Sequence, residues 1–217
     1  MAGRPLTGML IVVDFDGTIT ERDTLDQMVR RHAPELYDQL EDDLHAGRIS
    51  LHECIRREFE AIRGDHDQIV AEAVDAARVR EGFAELVDAA TAAGDRVVVV
   101  SSGFESVIRP VLERAGVDGV EVLAHDVRFT PQATEVDFRH GERCDVCGQQ
   151  CKRSVVRELR DGSGTVVYVG DGYSDRCAAL DADRVFARRT LAAYLDAEGV
   201  GYEPFDDFVE VREALGL

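Results

Sequence analysis

The 217-residue sequence lacks several things, and each absence excludes a class of function. It has no apolar run approaching the ~20 residues that a membrane-spanning helix needs; its longest hydrophobic runs are of strand length. It is short of positive charge, with 25 Lys and Arg against 43 Asp and Glu and a formal net charge of −18. Nucleic acid calls for basic residues to neutralise its phosphates, and an anionic membrane surface repels such a chain, so neither partner is expected. Repeats and low-complexity tracts are missing. The cysteines number five, an odd count, with three of them near residue 147, which is not the framework of a small disulfide-stapled secreted domain. The start Met1-Ala2-Gly3-Arg4-Pro5 leads into a short β run rather than a signal-peptide pattern. A cytoplasmic protein, monomer or homodimer, is the expectation. The acidity also means that an anionic ligand needs local positive charge from a metal ion or from particular basic side chains.

What is present is enough chain for one sizeable core plus a smaller module. Three short apolar runs, Met9–Val13, Arg96–Val100 and Val166–Val169, end in Asp, in Ser and in Gly-Asp, and each is followed by glycine and a helical pattern. Repeated strand–turn–helix units read as an α/β fold with a doubly wound parallel sheet. Ligands bind such sheets outside the carboxyl ends of the strands. Between Thr20 and about Arg80 there is no strand signal. Leu25, Met28, Val29 and His32 share one helical face, Leu36, Leu40 and Leu44 another, and Ile55, Phe59 and Ile62 a third. Asp23 and Ser50 fit N-caps, the latter with Glu53 in a capping-box pattern. The spacing predicts a small helical bundle inserted after the first strand. Downstream, helices are expected over Glu81–Ala93, Glu105–Ala115, Ser154–Leu159 and Asp175–Leu180. Short β runs are expected at Val120–Leu123, Val127–Phe129 and Glu135–Phe138, as one core strand plus a hairpin, and at Arg184–Ala187, followed by two closing helical segments.

The chemistry concentrates at the strand ends. In Leu10-Ile11-Val12-Val13-Asp14-Phe15-Asp16-Gly17-Thr18, two carboxylates one residue apart stand where a buried strand must stop. Strand periodicity puts Asp14 and Asp16 on one side of the chain, where like charges repel unless a cation or shared proton offsets them. Asp-x-Asp-Gly-Thr after an apolar strand resembles the first motif of the haloacid dehalogenase (HAD) superfamily of phosphatases. Three further motifs follow in order. Ser101-Ser102-Gly103 after Val97–Val100 matches the second, with phosphate-binding groups at a helix start. Lys152 before a helix matches the third. Gly170-Asp171-Gly172-Tyr173-Ser174-Asp175 matches the fourth, and its two carboxylates can meet Asp14 around a Mg²⁺ ion.

The resemblance covers nearly the whole chain. It implies a HAD core over residues 1–19 and 81–217 and a helical cap over 20–80. It also implies roles. Asp14 is the nucleophile that forms an aspartyl-phosphate, and Asp16 is the general acid and base. Mg²⁺ is held by Asp14, Asp16 (through its carbonyl) and Asp171, with Asp175 in support. Ser101, Ser102, Gly103 and Lys152 bind the phosphoryl group of a small phosphorylated metabolite.

Within the superfamily the insert resembles the cap of the phosphoserine phosphatase branch, through Thr24–Met28 and Ala46–Ser50. A departure stands at Glu58, aligned with the arginine that holds phosphoserine's carboxylate, while Asp23 aligns with the glutamate that holds its amino group. Asp14–Ile19 with Asp23, Ala33-Pro34, Arg80–Phe83, Cys144–Lys152, Phe186–Arg188 and Pro204–Phe208 are similar to the methionine-salvage phosphatases that act on an enol phosphate. A wider group includes phosphocholine and phosphoethanolamine phosphatases. Asp23, Arg57 and Phe59 are the candidate substrate-contacting residues. Cys144-x-x-Cys147-x-x-x-Cys151, with His140 four residues earlier, has a spacing that a structural Zn²⁺ ion can use; idle reduced thiols are the plain alternative. A non-enzymatic scaffold on a HAD frame, with the cysteines as its working part, is the competing class. It is disfavoured because Asp14, Asp16, Ser101, Lys152 and Asp171 are all present.

Overall fold

The computed structural model describes residues 8–140, 142–160 and 164–217. The opening segment Met1–Pro5 lies outside them. Seven strands form one sheet in the order β4-β3-β2-β1-β5-β6-β7. They are β1 (Leu10–Val13), β2 (Arg96–Phe104), β3 (Glu121–Phe129), β4 (Thr134–Asp137), β5 (Val166–Gly170), β6 (Arg184–Ala187) and β7 (Glu203–Pro204). All neighbours run parallel except the β3–β4 pair.

The central strand shows why the sheet is doubly wound. Successive side chains of a strand point to opposite faces, and every residue of β1 is apolar and fully buried. Ile11 and Val13 enter a core shared with α5 (Phe83–Ala93), α6 (Glu105–Arg114) and α10 (Phe208–Leu215). Leu10 and Val12 enter a second core shared with α7 (Lys152–Arg160), α8 (Arg176–Ala179) and α9 (Arg189–Glu198). A strand covered on both faces needs no polar side, which is why its sequence is a continuous apolar run.

Between β1 and β2 the chain builds α1 (Thr24–His32), α2 (Pro34–His45), α3 (Leu51–Glu60) and α4 (His66–Ala76). Asp23 and Ser50 cap α1 and α3 by accepting from the N–H groups of Asp26 and Glu53, as their sequence pattern predicts. The insert leaves and re-enters at one point: Thr20 and Val79 form an antiparallel bridge, and the Arg80 N–H donates to Ile19 O at 2.7 Å. Met28, Val29, Tyr37, Ile55, Phe59, Ile62 and Ile69 join the Ile11/Val13 core, so the helical layer is packed onto the sheet side of the molecule.

Two expectations are corrected. The runs Val120–Leu123 and Val127–Phe129 are one strand, because Ala124-His125-Asp126 stay extended and carry β3 from its parallel pairing with β2 into a hairpin with β4. The second strand also continues past Val100 through a register irregularity to Phe104, so Ser101–Gly103 lie in its extended tail rather than at a helix start; the helix begins at Glu105, where it is expected. Among the described residues no helix is long and apolar enough to cross a membrane.

Candidate active site

The site sits at the carboxyl ends of β1, β2 and β5, where the parallel strands present their last residues together. At the end of β1 the chain stays extended through Asp14, whose N–H donates to Val169 O at 2.9 Å. It then turns through Phe15–Ile19. Phe15 is driven into the core, fully buried, which leaves Asp14 and Asp16 facing the other way. Gly17 takes φ +78°, and a Cβ there would collide with the Asp171 carboxylate; left-handed backbone and a close approach both demand glycine. Arg80 ties this turn down, donating to the carbonyls of Thr18 (2.9 Å), Gly17 (3.0 Å) and Thr20 (3.2 Å).

Four side chains converge from distant segments. Lys152 Nζ donates to Asp14 Oδ1 and, at 2.8 Å, to Asp175 Oδ1. Asp175 also accepts from Tyr168 Oη at 2.7 Å and from the N–H groups of Asp171 (3.0 Å) and Gly172 (2.9 Å). Its two oxygens are therefore occupied in fixing Lys152 and the loop that carries Asp171. Asp171 accepts from Thr18 Oγ1 at 3.1 Å and has Arg189 Nη1 at 3.6 Å. Asp14, Lys152, Asp171 and Asp175 are all buried.

Burial on this scale acts against the charged carboxylates. It is the largest cause holding the Asp14 carboxyl well above its ordinary range; Asp175 adds to the shift and Lys152 opposes it. Asp171 is pushed up to about 6, first by burial and then by Asp175. Burial also raises Asp16, against the hydrogen bonds from Thr24. Burial alone would pull Lys152 down, but Asp14 and Asp175 more than offset it and hold the ammonium charged. The buried acidic groups Asp14, Asp171 and Asp175 thus outnumber the one buried ammonium, Lys152.

A divalent cation fits that imbalance. Asp14, Asp171 and Asp175 each bring an oxygen to within 4.8 Å of the others, and a set made only of hard oxygen donors suits Mg²⁺ rather than a softer metal.

Asp16 is aimed by the first turn of α1. The Thr24 N–H (2.9 Å) and hydroxyl both donate to its Oδ1, leaving Oδ2 near Ser101 Oγ at 3.5 Å. Ser101 is buried and its Oγ accepts the Gly103 N–H at 2.8 Å. That N–H is already used within the protein, so the contribution of Gly103 is steric: a Cβ there would lie 2.5 Å from Asp16 Oδ2. Ser102 faces the adjoining cleft.

That cleft, of about 290 Å³, lies between the strand ends and α1–α3. Its floor has Asp14, Asp16 and Asp171. Its wall has Asp23, Asp26, Glu41 and Glu58 together with Leu25, Leu44, Leu51 and Ile55. Glu58 is buried, with Oε1 lacking any hydrogen-bond partner. Burial, reinforced by Glu41 and Asp26, pushes its carboxyl up to about 8, so it is protonated at neutral pH. Asp23 is likewise raised, by burial and then by Asp16.

The structure brings together Asp14, Asp16, Asp23, Ser101, Lys152, Asp171 and Asp175, but not every candidate. Arg57 is half exposed, pairs with Glu53 at 2.7 Å and does not line the cleft. Phe59 is fully buried, edge-on to Phe104 with ring centroids 4.7 Å apart, and is core rather than lining. His140 does not join the cysteines. It faces a small hole shared with His52, His125 and Lys152, and the side chain that does join Cys144, Cys147 and Cys151 is Cys177.

Thr18, Thr24, Arg80, Tyr168 and Arg189 were not singled out from sequence. Thr18 and Tyr168 stand inside the strand-end motifs, so proximity could have flagged them. The others are brought in by tertiary contacts. One compositional signal was available: Lys152 is the only lysine in the chain.

Comparison with known proteins supplies the family and the fold. The family model of haloacid dehalogenase-like hydrolases matches residues 11–180. A 2-hydroxy-3-keto-5-methylthiopentenyl-1-phosphate phosphatase from an Exiguobacterium species is 30% identical over 207 residues, covering 93% of this chain and 94% of that protein. A Bacillus cereus protein of the same name is 27% identical over 210 residues, 95% of each chain. Among solved structures, a phosphoserine phosphatase with an analogue of its phospho-aspartyl intermediate superposes with a TM-score of 0.74 at 20% identity, covering 96% of this chain and 99% of that one. The phosphoserine phosphatase of T. onnurineus gives 0.72 at 21% identity, covering 98% and 96%. At those identities the likeness is one of fold.

Proposed function

The chain belongs to the haloacid dehalogenase-like hydrolase family and is a phosphatase, and from that premise we propose that it hydrolyses a small, uncharged-tailed phosphomonoester through an aspartyl-phosphate on Asp14. The observation that carries the reading is the buried contact of Lys152 with both Asp14 and Asp175 beside Asp16, at the floor of a cleft. In this reading residues 1–19 and 81–217 are the catalytic core and residues 20–80 the cap that recognises the substrate.

Asp14 attacks phosphorus in line with the leaving oxygen, and Asp16 gives that oxygen its proton. Burial favours the protonated form of Asp16 against the hydrogen bonds from Thr24, and those bonds hold its Oδ1 and so orient the carboxyl. Asp16 then takes a proton from the water that attacks the aspartyl-phosphate, releasing phosphate and restoring Asp14. Lys152 and the Ser101 and Ser102 hydroxyls balance and hold the phosphoryl oxygens. Asp14, the Asp16 carbonyl and Asp171, with Asp175 in support, would hold Mg²⁺, which would supply further neutralisation of phosphoryl charge.

For the substrate we take the compound in the relatives' names, 2-hydroxy-3-keto-5-methylthiopentenyl-1-phosphate. Its hydroxyl and keto oxygens can pair with the protonated Glu58 and its carboxylate neighbours, and its thioether tail with Leu25, Leu44 and Ile55. A carboxylate-bearing substrate such as phosphoserine meets Asp23, Asp26, Glu41 and Glu58 instead. The acidic wall favours one other class, the cationic esters phosphocholine and phosphoethanolamine; sugar phosphates complete the set to be compared. Phosphate release from these compounds, with Mg²⁺ and with EDTA, is the test. Metal-dependent turnover led by the enol phosphate supports the reading, and a preference for phosphoserine overturns the substrate assignment.

A further inference from the structure

We infer that Cys144, Cys147, Cys151 and Cys177 bind one structural zinc ion, separate from the carboxylate site. All four are free thiols, and their sulfur atoms lie within 4.8 Å of one another. A tetrahedral ZnS₄ centre with bonds of ~2.3 Å has sulfur–sulfur edges of about 3.8 Å, so a small contraction closes the site.

The backbone around the first pair is already shaped for a metal. Cys144-Asp145-Val146-Cys147-Gly148 forms a tight turn at the tip of a hairpin closed by the Arg143–Gln150 bridge. The Gly148 N–H donates to Cys144 O at 2.9 Å, and the Cys144 N–H to Gln149 O at 2.8 Å. Gly148 takes φ +69°, which a side chain would resist. The turn points the Val146 N–H at Cys144 Sγ, 3.4 Å away. An N–H aimed at sulfur favours the thiolate that a metal requires. Four thiolates around Zn²⁺ leave a net charge of −2. Arg153 donates to Asp145, which lies between the first two cysteines, at 2.6 Å, and Arg176 is the chain neighbour of Cys177, so two guanidiniums lie close to the cluster.

The ligands' chain positions give the site its consequence. Cys151 immediately precedes Lys152, and Cys177 lies two residues after Asp175, on α8. Lys152 and Asp175 are in contact at 2.8 Å. Zinc would therefore join the loop that delivers the lysine to the helix that follows the carboxylate. The cysteines are positioning residues that never touch substrate. Soft sulfur donors keep this site chemically distinct from the oxygen site.

The test is metal analysis of the full-length chain produced with zinc and iron supplied equally. One zinc per chain is expected, released as the four thiols are titrated with an organomercurial. Cobalt substitution should give the thiolate-to-metal bands of a tetrahedral sulfur site. Cys177→Ser should cut zinc content at least about tenfold, whereas His140→Ala should leave it unchanged. Zinc-stripped protein that remains folded should lose kcat with little change in KM. A metal-free chain with four freely titrating thiols, iron in place of zinc, a disulfide within the cluster, or full zinc retention in Cys177→Ser would each overturn the assignment. The thiol titration needs no variant, so it decides the matter even if Cys177→Ser fails to fold.

Discussion

The floor of the cleft and its wall are built on opposite principles. On the floor, charged groups are over-determined. Lys152 spans two carboxylates, Asp175 accepts five hydrogen bonds counting that of Lys152, and Arg80 pins the turn that carries Asp16. On the wall, Glu58 is buried without a partner for Oε1, among Glu41, Asp26 and Cys54. A buried polar group left unpaired costs stability, so a fold tolerates one chiefly where a ligand is to supply the partner. Under the proposed function, the comparison teaches that the reacting groups are fixed in advance and that Glu58 is left for the substrate to complete.

The sharpest way to break the comparison is on the floor. Asp14→Asn should lower turnover by on the order of 10⁴-fold while circular dichroism and Tm show an intact fold; retained activity in pure protein removes Asp14 as nucleophile. Next is the residue that locks the two regions together. Phe59 is fully buried between the insert and β2, so Phe59→Ala should cost roughly 3–5 kcal/mol in denaturant unfolding. A loss below about 1 kcal/mol would mean that the helical layer is not anchored there.

A subtler effect is expected on the wall. The Glu58 carboxyl, ordinarily near 4.5, is held at about 8 in the folded protein. The folded state therefore keeps a proton that the unfolded state gives up. The stability this contributes is complete below pH 4.5 and is lost as pH rises through about 8. Glu58→Gln removes that dependence, so between pH 5 and pH 9 its Tm should gain on wild type by on the order of 5 °C. Parallel pH profiles would show that Glu58 finds a partner or solvent in solution. The smallest effect belongs to Arg57. Its salt bridge with Glu53 is exposed, so Arg57→Ala should change stability by less than about 0.5 kcal/mol and leave KM unaltered. A tenfold rise in KM would return it to the substrate site.

Much of the floor was legible in the chain because strand ends are local features. An apolar run that stops at Asp14, at Ser101 or at Asp171 announces where a parallel sheet gathers its ligands, and the helix caps at Asp23 and Ser50 follow from their own next few residues. The wall was less legible. Arg57, Glu58 and Phe59 are consecutive on α3, and which of them faces solvent, cleft or core depends on how the helix is rotated against the sheet. Periodicity already placed Phe59 with Ile55 and Ile62, which is the core stripe it occupies. The choice between Arg57 and Glu58 needed the packed neighbours. His140 was attractive as a fourth ligand through nearness in sequence, yet the hairpin turns it toward His52 and His125.

By itself, then, the sequence determined the strand-end carboxylates, the serine and the solitary lysine, since backbone periodicity and turn chemistry act over a few residues. Only the tertiary structure decided that Lys152 bridges Asp14 and Asp175, that Glu58 rather than Arg57 faces the cleft, and that Cys177 completes the cysteine cluster. Those are meetings between segments far apart in the chain, and they are set by the packing of helices on a sheet, which no local pattern encodes.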